Sequence, residues 1–154
     1  MERLRAVASL ACSSQEAETL LPRYFETKRT SDGLIRMPLR VPLEELGLKE
    51  LAVTKDVIVQ IQKRRDSLNL NDEFGIEWAP AGGGPFPTFH GRVIVWSEGK
   101  PNASFLELDG TYEPPLGALG EAFDATLGSA IAKRTATAFL EDVAEGIEGL
   151  RKPS

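Results

Sequence analysis

The stretch from Leu116 to Leu150 constrains this chain most, because its large apolar residues recur at helical spacing for nearly ten turns. Leu119, Phe123, Leu127, Ile131, Phe139, Val143 and Ile147 form the stripe. Steps of four residues drift by about 40° each against a period of 3.6, so the stripe winds around the helix unless the helix bends, and Gly128 is the expected bend. A stripe this broad has to be buried under a wide surface. An antiparallel sheet with one apolar face supplies such a surface.

The residues before the helix alternate as that sheet requires. Leu4, Ala6, Ala8, Leu10 and Cys12 alternate with Arg3, Arg5 and Ser9, the period of a half-buried strand. Ser13 followed by Gln15 and Glu16 predicts a capped helix start, and Leu20, Leu21, Tyr24 and Phe25 give that helix one apolar face; Pro22 is expected to break or bend it into one or two short pieces. After the turn at Ser31-Asp32-Gly33, Ile35, Met37, Leu39, Val41 and Leu43 alternate with Arg36, Pro38, Arg40 and Pro42, and the two prolines predict an edge or bulged strand. Val57, Val59 and Ile61 face inward in the next strand, then Phe74, Ile76 and Trp78 after a turn at Asn69 to Asp72. The run APAGGGPFP, 79–87, reads as a loop. Phe89, Gly91, Val93 and Val95, then Leu106, Leu108, Gly110 and Tyr112, are the inward residues of two more strands, and Pro114-Pro115 launches the helix. Residues 43–55 fit either a short helix or a further strand. The result is an α+β helix-grip architecture within one domain, 1–154: a curved antiparallel sheet of six to seven strands wrapped around the C-terminal helix.

Composition excludes several functions. A formal charge of -5 argues against a dedicated nucleic-acid binder, and the basic run Lys63, Arg64 and Arg65 reads as a solvated strand end. Cys12 is the only cysteine, so no intrachain disulfide or thiolate zinc site can form, which fits a reducing cytoplasm. Ala6 to Ala11 is too short for the apolar core of an export signal, and no apolar run is long enough to span a membrane.

The element order resembles the START-like superfamily called SRPBCC, which includes polyketide cyclases, lipid-transfer domains and the major birch pollen allergen. FPTFHGRVIVW, then SFLELDGTYEPPLGALGEAFD, is similar to the C-terminal half of bacterial SRPBCC proteins. There a tyrosine and two prolines lead into a glycine-spaced helix, as Tyr112, Pro114, Pro115, Gly117, Gly120 and Asp124 do here. The resemblance implies a fold and a cavity between sheet and helix; it implies no reaction.

Candidate chemistry is sparse. His90 is the only histidine and its strand phase points it outward, so it reads as a surface residue. Gly82-Gly83-Gly84 lacks the lysine and helix of a phosphate loop and reads as a hairpin loop. Asp124 beside Phe123 is either a catalytic partner of Tyr112 or a structural carboxylate paired with an arginine such as Arg92. Glu77 reads as solvated. No metal or cofactor is expected. The inward residues Tyr24, Val59, Phe74, Trp78, Phe89, Leu108, Tyr112, Phe123 and Leu127 are either plain core or the lining of a pocket. The small residues Ala118, Ala122, Ala125 and Ala132 on the helix either bring the layers close or leave space, and the resemblance favours space.

Three functions follow. The first is binding or carriage of a hydrophobic small molecule or lipid. The second is a cyclase, dehydratase or hydrolase working in the same cavity through Tyr112 and Asp124. The third is a homodimer built on Ile94, Trp96 and Phe105, which fall on the outward phase of neighbouring strands.

Overall fold

The computed structural model describes residues 2–41, 53–65, 72–82, 88–113 and 125–151. Among them six strands and two helices run in the order β1 (Glu2–Leu10), α1 (Ser14–Glu26), β2 (Ile35–Val41), β3 (Val53–Arg65), β4 (Asp72–Pro80), β5 (Thr88–Trp96), β6 (Ser104–Glu113) and α2 (Ala125–Arg151). The strands form one curled antiparallel sheet in the order β1-β6-β5-β4-β3-β2, with α2 in its concavity. No helix among the described residues is long and apolar enough to cross a membrane.

Alternation decides which face is buried. Leu39, Val59, Phe74, Trp78, Val93 and Leu108 are buried, while Arg40, Gln60, Glu77 and Arg92 are exposed. β2, with Pro38 in it, is an edge strand as that proline requires. Arg40, exposed on the outward phase of β2, still meets the helix. It reaches round the sheet edge to α2, donating from Nη2 and Nε to the two carboxylate oxygens of Asp142 at 2.8 and 3.1 Å. The opposite edge is tied to α2 just past β1, where Ala11 N–H donates to Glu148 at 2.9 Å and Arg151 donates to the Ala11 carbonyl at 2.9 Å. The long helix is thus fastened to both edges of the sheet that wraps it.

α1 is one continuous helix with Pro22 inside it, the first of the two alternatives expected, so Pro22 does not break it. Ser13 caps it, its Oγ accepting from the Glu16 N–H at 3.1 Å. Proline in a helix interior costs about 3 kcal/mol. Tyr24 and Phe25 in the following turn are both buried, and full burial of an aromatic side chain is worth about 1.5–3 kcal/mol, so continuing the helix offsets the lost bond. Tyr24 lies on α2 at Gly146, where a Cβ would come within 2.0 Å of its ring. Gly146 is the slot that lets the two helices meet.

The loop expected over 79–87 begins later, because β4 continues through Pro80. Of that run, Gly83 to Pro87 lie outside the described residues, as do the turn residues Asn69 to Asn71, most of the uncertain segment 43–55, and the Pro114-Pro115 helix start. α2 is described from Ala125 rather than Leu116.

Candidate functional site

Register brings the inward residues together. Ile35, Val59, Trp78, Phe89 and Tyr112 are successive cross-strand partners, so they form one row on the concave face from β2 to β6, and the row ends at Glu2 of β1. All five are buried, at 2–5% exposure. It is the last row to cross all six strands before the end at which β5 begins and β6 stops. Toward the other end lie Ile76 with the paired glycines Gly91 and Gly110, then Phe74, Val93 and Leu108.

The glycine pair shapes the row. A Cβ at Gly110 would lie 2.3 Å from the His90 carbonyl oxygen and 2.6 Å from the Gly91 Cα, and one at Gly91 would be 2.3 Å from the Asp109 carbonyl oxygen. Only glycine permits so close an approach of two backbones, and such pairs are where sheets bend. The Phe89 ring folds over both, 2.8 Å from either added Cβ. It therefore lies flat against Trp78, with centroids 4.5 Å apart and planes at 22°. From above, α2 lowers Phe139 onto the same indole, at 4.8 Å. Phe139 continues to Phe25 at 6.3 Å, and Phe25 to Tyr24 at 5.5 Å. The aromatic chain therefore runs from the sheet through the long helix to α1.

The structure places seven of the nine lining residues predicted from sequence relative to this arrangement. Val59, Trp78, Phe89 and Tyr112 share the row; Phe74 and Leu108 lie two rows away, beneath the helix; Tyr24 sits at the α1–α2 contact. Phe123 and Asp124 lie outside the described residues, and Leu127 is placed only as a backbone position of α2. Among the described residues Arg92, offered as a partner for Asp124, pairs with Glu73 at 3.0 Å and Asp109 at 3.5 Å on the outer face. Phe139 was legible as part of the helix stripe, but nothing in its spacing marked it as the residue that meets Trp78.

Polar chemistry on the concave face is limited. Among the described residues the buried polar side chains are Ser104, which donates to the Cys12 carbonyl at 2.9 Å, and Thr135, which donates to the carbonyl of Ile131 at 2.8 Å. Tyrosine hydroxyls come from Tyr112 in the row and Tyr24 at the helix contact. Burial pushes the Tyr24 phenol above its ordinary value, with the charge of Asp142 adding to it. Burial likewise pushes up the Cys12 thiol, with Glu16 contributing, which keeps it protonated and a poor nucleophile.

His90 is exposed, as its phase predicts, but it is not alone: Nδ1 lies 2.5 Å from Glu77 Oε1, so Glu77 is paired rather than simply solvated. The pair borders a depression of about 430 Å³ on the outer face, with Gln60, Thr88 and Thr111 around it. A carboxylate–histidine–threonine row on the outer face of a paired sheet has no oxyanion donors from its own strands, because the strand N–H groups are committed to the ladder. Ile94, Trp96 and Phe105 are on the outer face and half-buried, with Trp96 and Phe105 stacked at 4.4 Å. The Trp96 Nε1 is buried without an acceptor.

No family model matches the sequence, and no curated protein matches it. Solved structures do. A START superfamily protein from Mycobacterium smegmatis aligns over 96% of this chain and 98% of its own, at 14% identity and a TM-score of 0.58. A Thermus thermophilus protein aligns over 98% and 100% at 15% identity, with a TM-score of 0.56. A conserved protein from Geobacillus kaustophilus aligns over 94% of both chains at 13% identity, with a TM-score of 0.54. With six antiparallel strands curled around a long C-terminal helix and this likeness along nearly its whole length, the chain has the START-like, helix-grip fold.

Proposed function

We propose that the chain acts as a single START-like domain that binds and carries a hydrophobic small molecule or lipid between the concave face of the sheet and α2, in the reducing cytoplasm that its lone Cys12 suits. The observation that carries this reading is the row Val59, Trp78, Phe89 and Tyr112, which sets three large apolar side chains and one hydroxyl side by side at one end of the concave face. Apolar lining with a few placed polar groups is the ordinary composition of a small-molecule site. Phe123 and Leu127 are proposed as the helix side of the lining. Native mass spectrometry of protein purified without denaturation is expected to show a retained apolar adduct that Trp78→Ala loses; an adduct-free wild type that also takes up no added apolar probe would count against it. In a carrier, Asp124→Asn and Tyr112→Phe keep probe binding. In an enzyme acting through that pair they bind substrate and lose turnover.

Self-association is the second reading, favoured by the stacked Trp96–Phe105 pair on the outer face beside Val7, which is 36% exposed. The patch is flanked by charges of both signs, Arg5 with Glu107 and Arg92 with Glu73, so a second copy of the same surface can meet it without like-charge conflict. Trp96→Glu is expected to shift a concentration-dependent dimer to monomer in sedimentation. A wild type that stays monomeric at high concentration removes this reading.

A further inference from the structure

The turn that leads from α1 into β2 holds an apolar side chain out in solvent. Leu34 is 39% exposed, while Ile35 beside it is 4% exposed. The turn needs only the backbone of Leu34: its N–H donates to Asp32 Oδ1 at 3.1 Å, and its carbonyl accepts from the Thr30 N–H at 2.8 Å and the Thr30 hydroxyl at 3.0 Å. Gly33, at φ +86°, supplies the left-handed residue that closes it. The leucine side chain is therefore presented by the turn and not used by it.

Cations surround it. Arg29 donates to the Gly33 carbonyl at 2.6 Å, Arg36 donates to Asp32 at 2.9 Å, and the Arg36 N–H donates to the Lys28 carbonyl at 3.3 Å, which sets Lys28 alongside. From Arg23 to Arg36 there are four cations, Arg23, Lys28, Arg29 and Arg36, against two carboxylates, Glu26 and Asp32, so this stretch is net +2 in a chain of -5. Both carboxylates are engaged locally, Glu26 with Arg29 and Asp32 with Arg36. Lys28, its amine 5.5 Å above the Tyr24 ring, has no carboxylate partner among the described residues.

We propose that this tip docks the domain reversibly on an anionic lipid surface, with Leu34 entering the boundary of the acyl chains and Lys28, Arg29 and Arg36 lying among the headgroups. Peripheral attachment grows with the apolar area inserted and with the attraction of cations to anionic lipid, and this turn supplies both at one point. Its hydrogen bonds fix the tip beforehand, so no loop has to be ordered on contact. The surface lies apart from the internal binding site and stands without it.

Sedimentation with large unilamellar vesicles of phosphatidylcholine, alone or with about 30% phosphatidylserine, tests this. Wild type is expected to bind the anionic vesicles at least about tenfold more tightly at low ionic strength, and to lose most of that preference in about 0.5 M salt. Lys28→Glu is expected to weaken binding at least about tenfold, and Leu34→Ser, which keeps the turn's backbone bonds, about fivefold. Lys100→Glu makes the same change of charge in the exposed turn between β5 and β6, and should leave binding within about twofold. Uptake of 2-naphthol should be the same in wild type and all three variants, which separates this surface from the internal site. Equal binding to both vesicles, or binding to neither, overturns the proposal. So does a loss through Lys100→Glu as large as that through Lys28→Glu, or anionic binding that Leu34→Ser leaves intact.

Discussion

Gly110→Ala is expected to destabilise the protein by about 3 kcal/mol, read as a shift of the urea midpoint without a change in slope. The added methyl would sit 2.3 Å from the His90 carbonyl oxygen and 2.6 Å from the Gly91 Cα, both backbone atoms that cannot rotate away, and 2.8 Å from the Phe89 ring. Relief requires β5 and β6 to separate where they are ladder-bonded, or Phe89 to leave its seat against Trp78. Gly149→Ala is the matching control. It lies exposed in α2 with open space around a Cβ, so there the usual helix preference for alanine over glycine, about 1 kcal/mol, should appear as a gain. A Gly110→Ala loss below about 1 kcal/mol would mean that the two strands have room that the paired glycines do not leave.

Phe139→Ala carries the second large effect, an expected loss of about 3–5 kcal/mol, the usual cost of truncating a buried phenylalanine. Phe139 is 3% exposed and holds both Trp78 and Phe25. A domain has about 5–15 kcal/mol to lose, so the variant should fold and melt much earlier. Combining it with Trp78→Leu should cost less than the sum of the single changes by about 0.5–1.5 kcal/mol, the coupling expected of an aromatic pair. Additive losses would show that the two rings do not support one another.

Much of the fold was legible because burial follows a period. Alternation alone assigned Val59, Trp78, Phe89 and Tyr112 to the concave face, and that assignment is borne out strand by strand. Alternation could not supply register. Nothing in four separate segments says that these four residues stand opposite one another, since slipping one strand by two residues preserves every facing while dissolving the row. Pairing of the glycines was hidden for the same reason: Gly91 and Gly110 are each legible as inward residues, but their close approach exists only once β5 and β6 are aligned. Pro22 left one or two helices open because propensity is local, while the burial of Tyr24 and Phe25 that carries the helix past it is tertiary. Glu77 and Arg92 each look solitary in the sequence. Their partners, His90 and Glu73, stand on neighbouring strands where only register brings them within reach.

The two tryptophans lie on opposite faces of the sheet, Trp78 in the concave row and Trp96 on the outside. Each indole N–H gives its own signal in a nitrogen-15 correlation spectrum, so one titration with 2-naphthol reports on both faces at once. Occupation of the space between sheet and helix predicts that the Trp78 signal shifts progressively to saturation while the Trp96 signal stays in place. A Trp96 signal that moves while Trp78 holds still, or two signals unmoved at high probe concentration, would contradict an internal binding site.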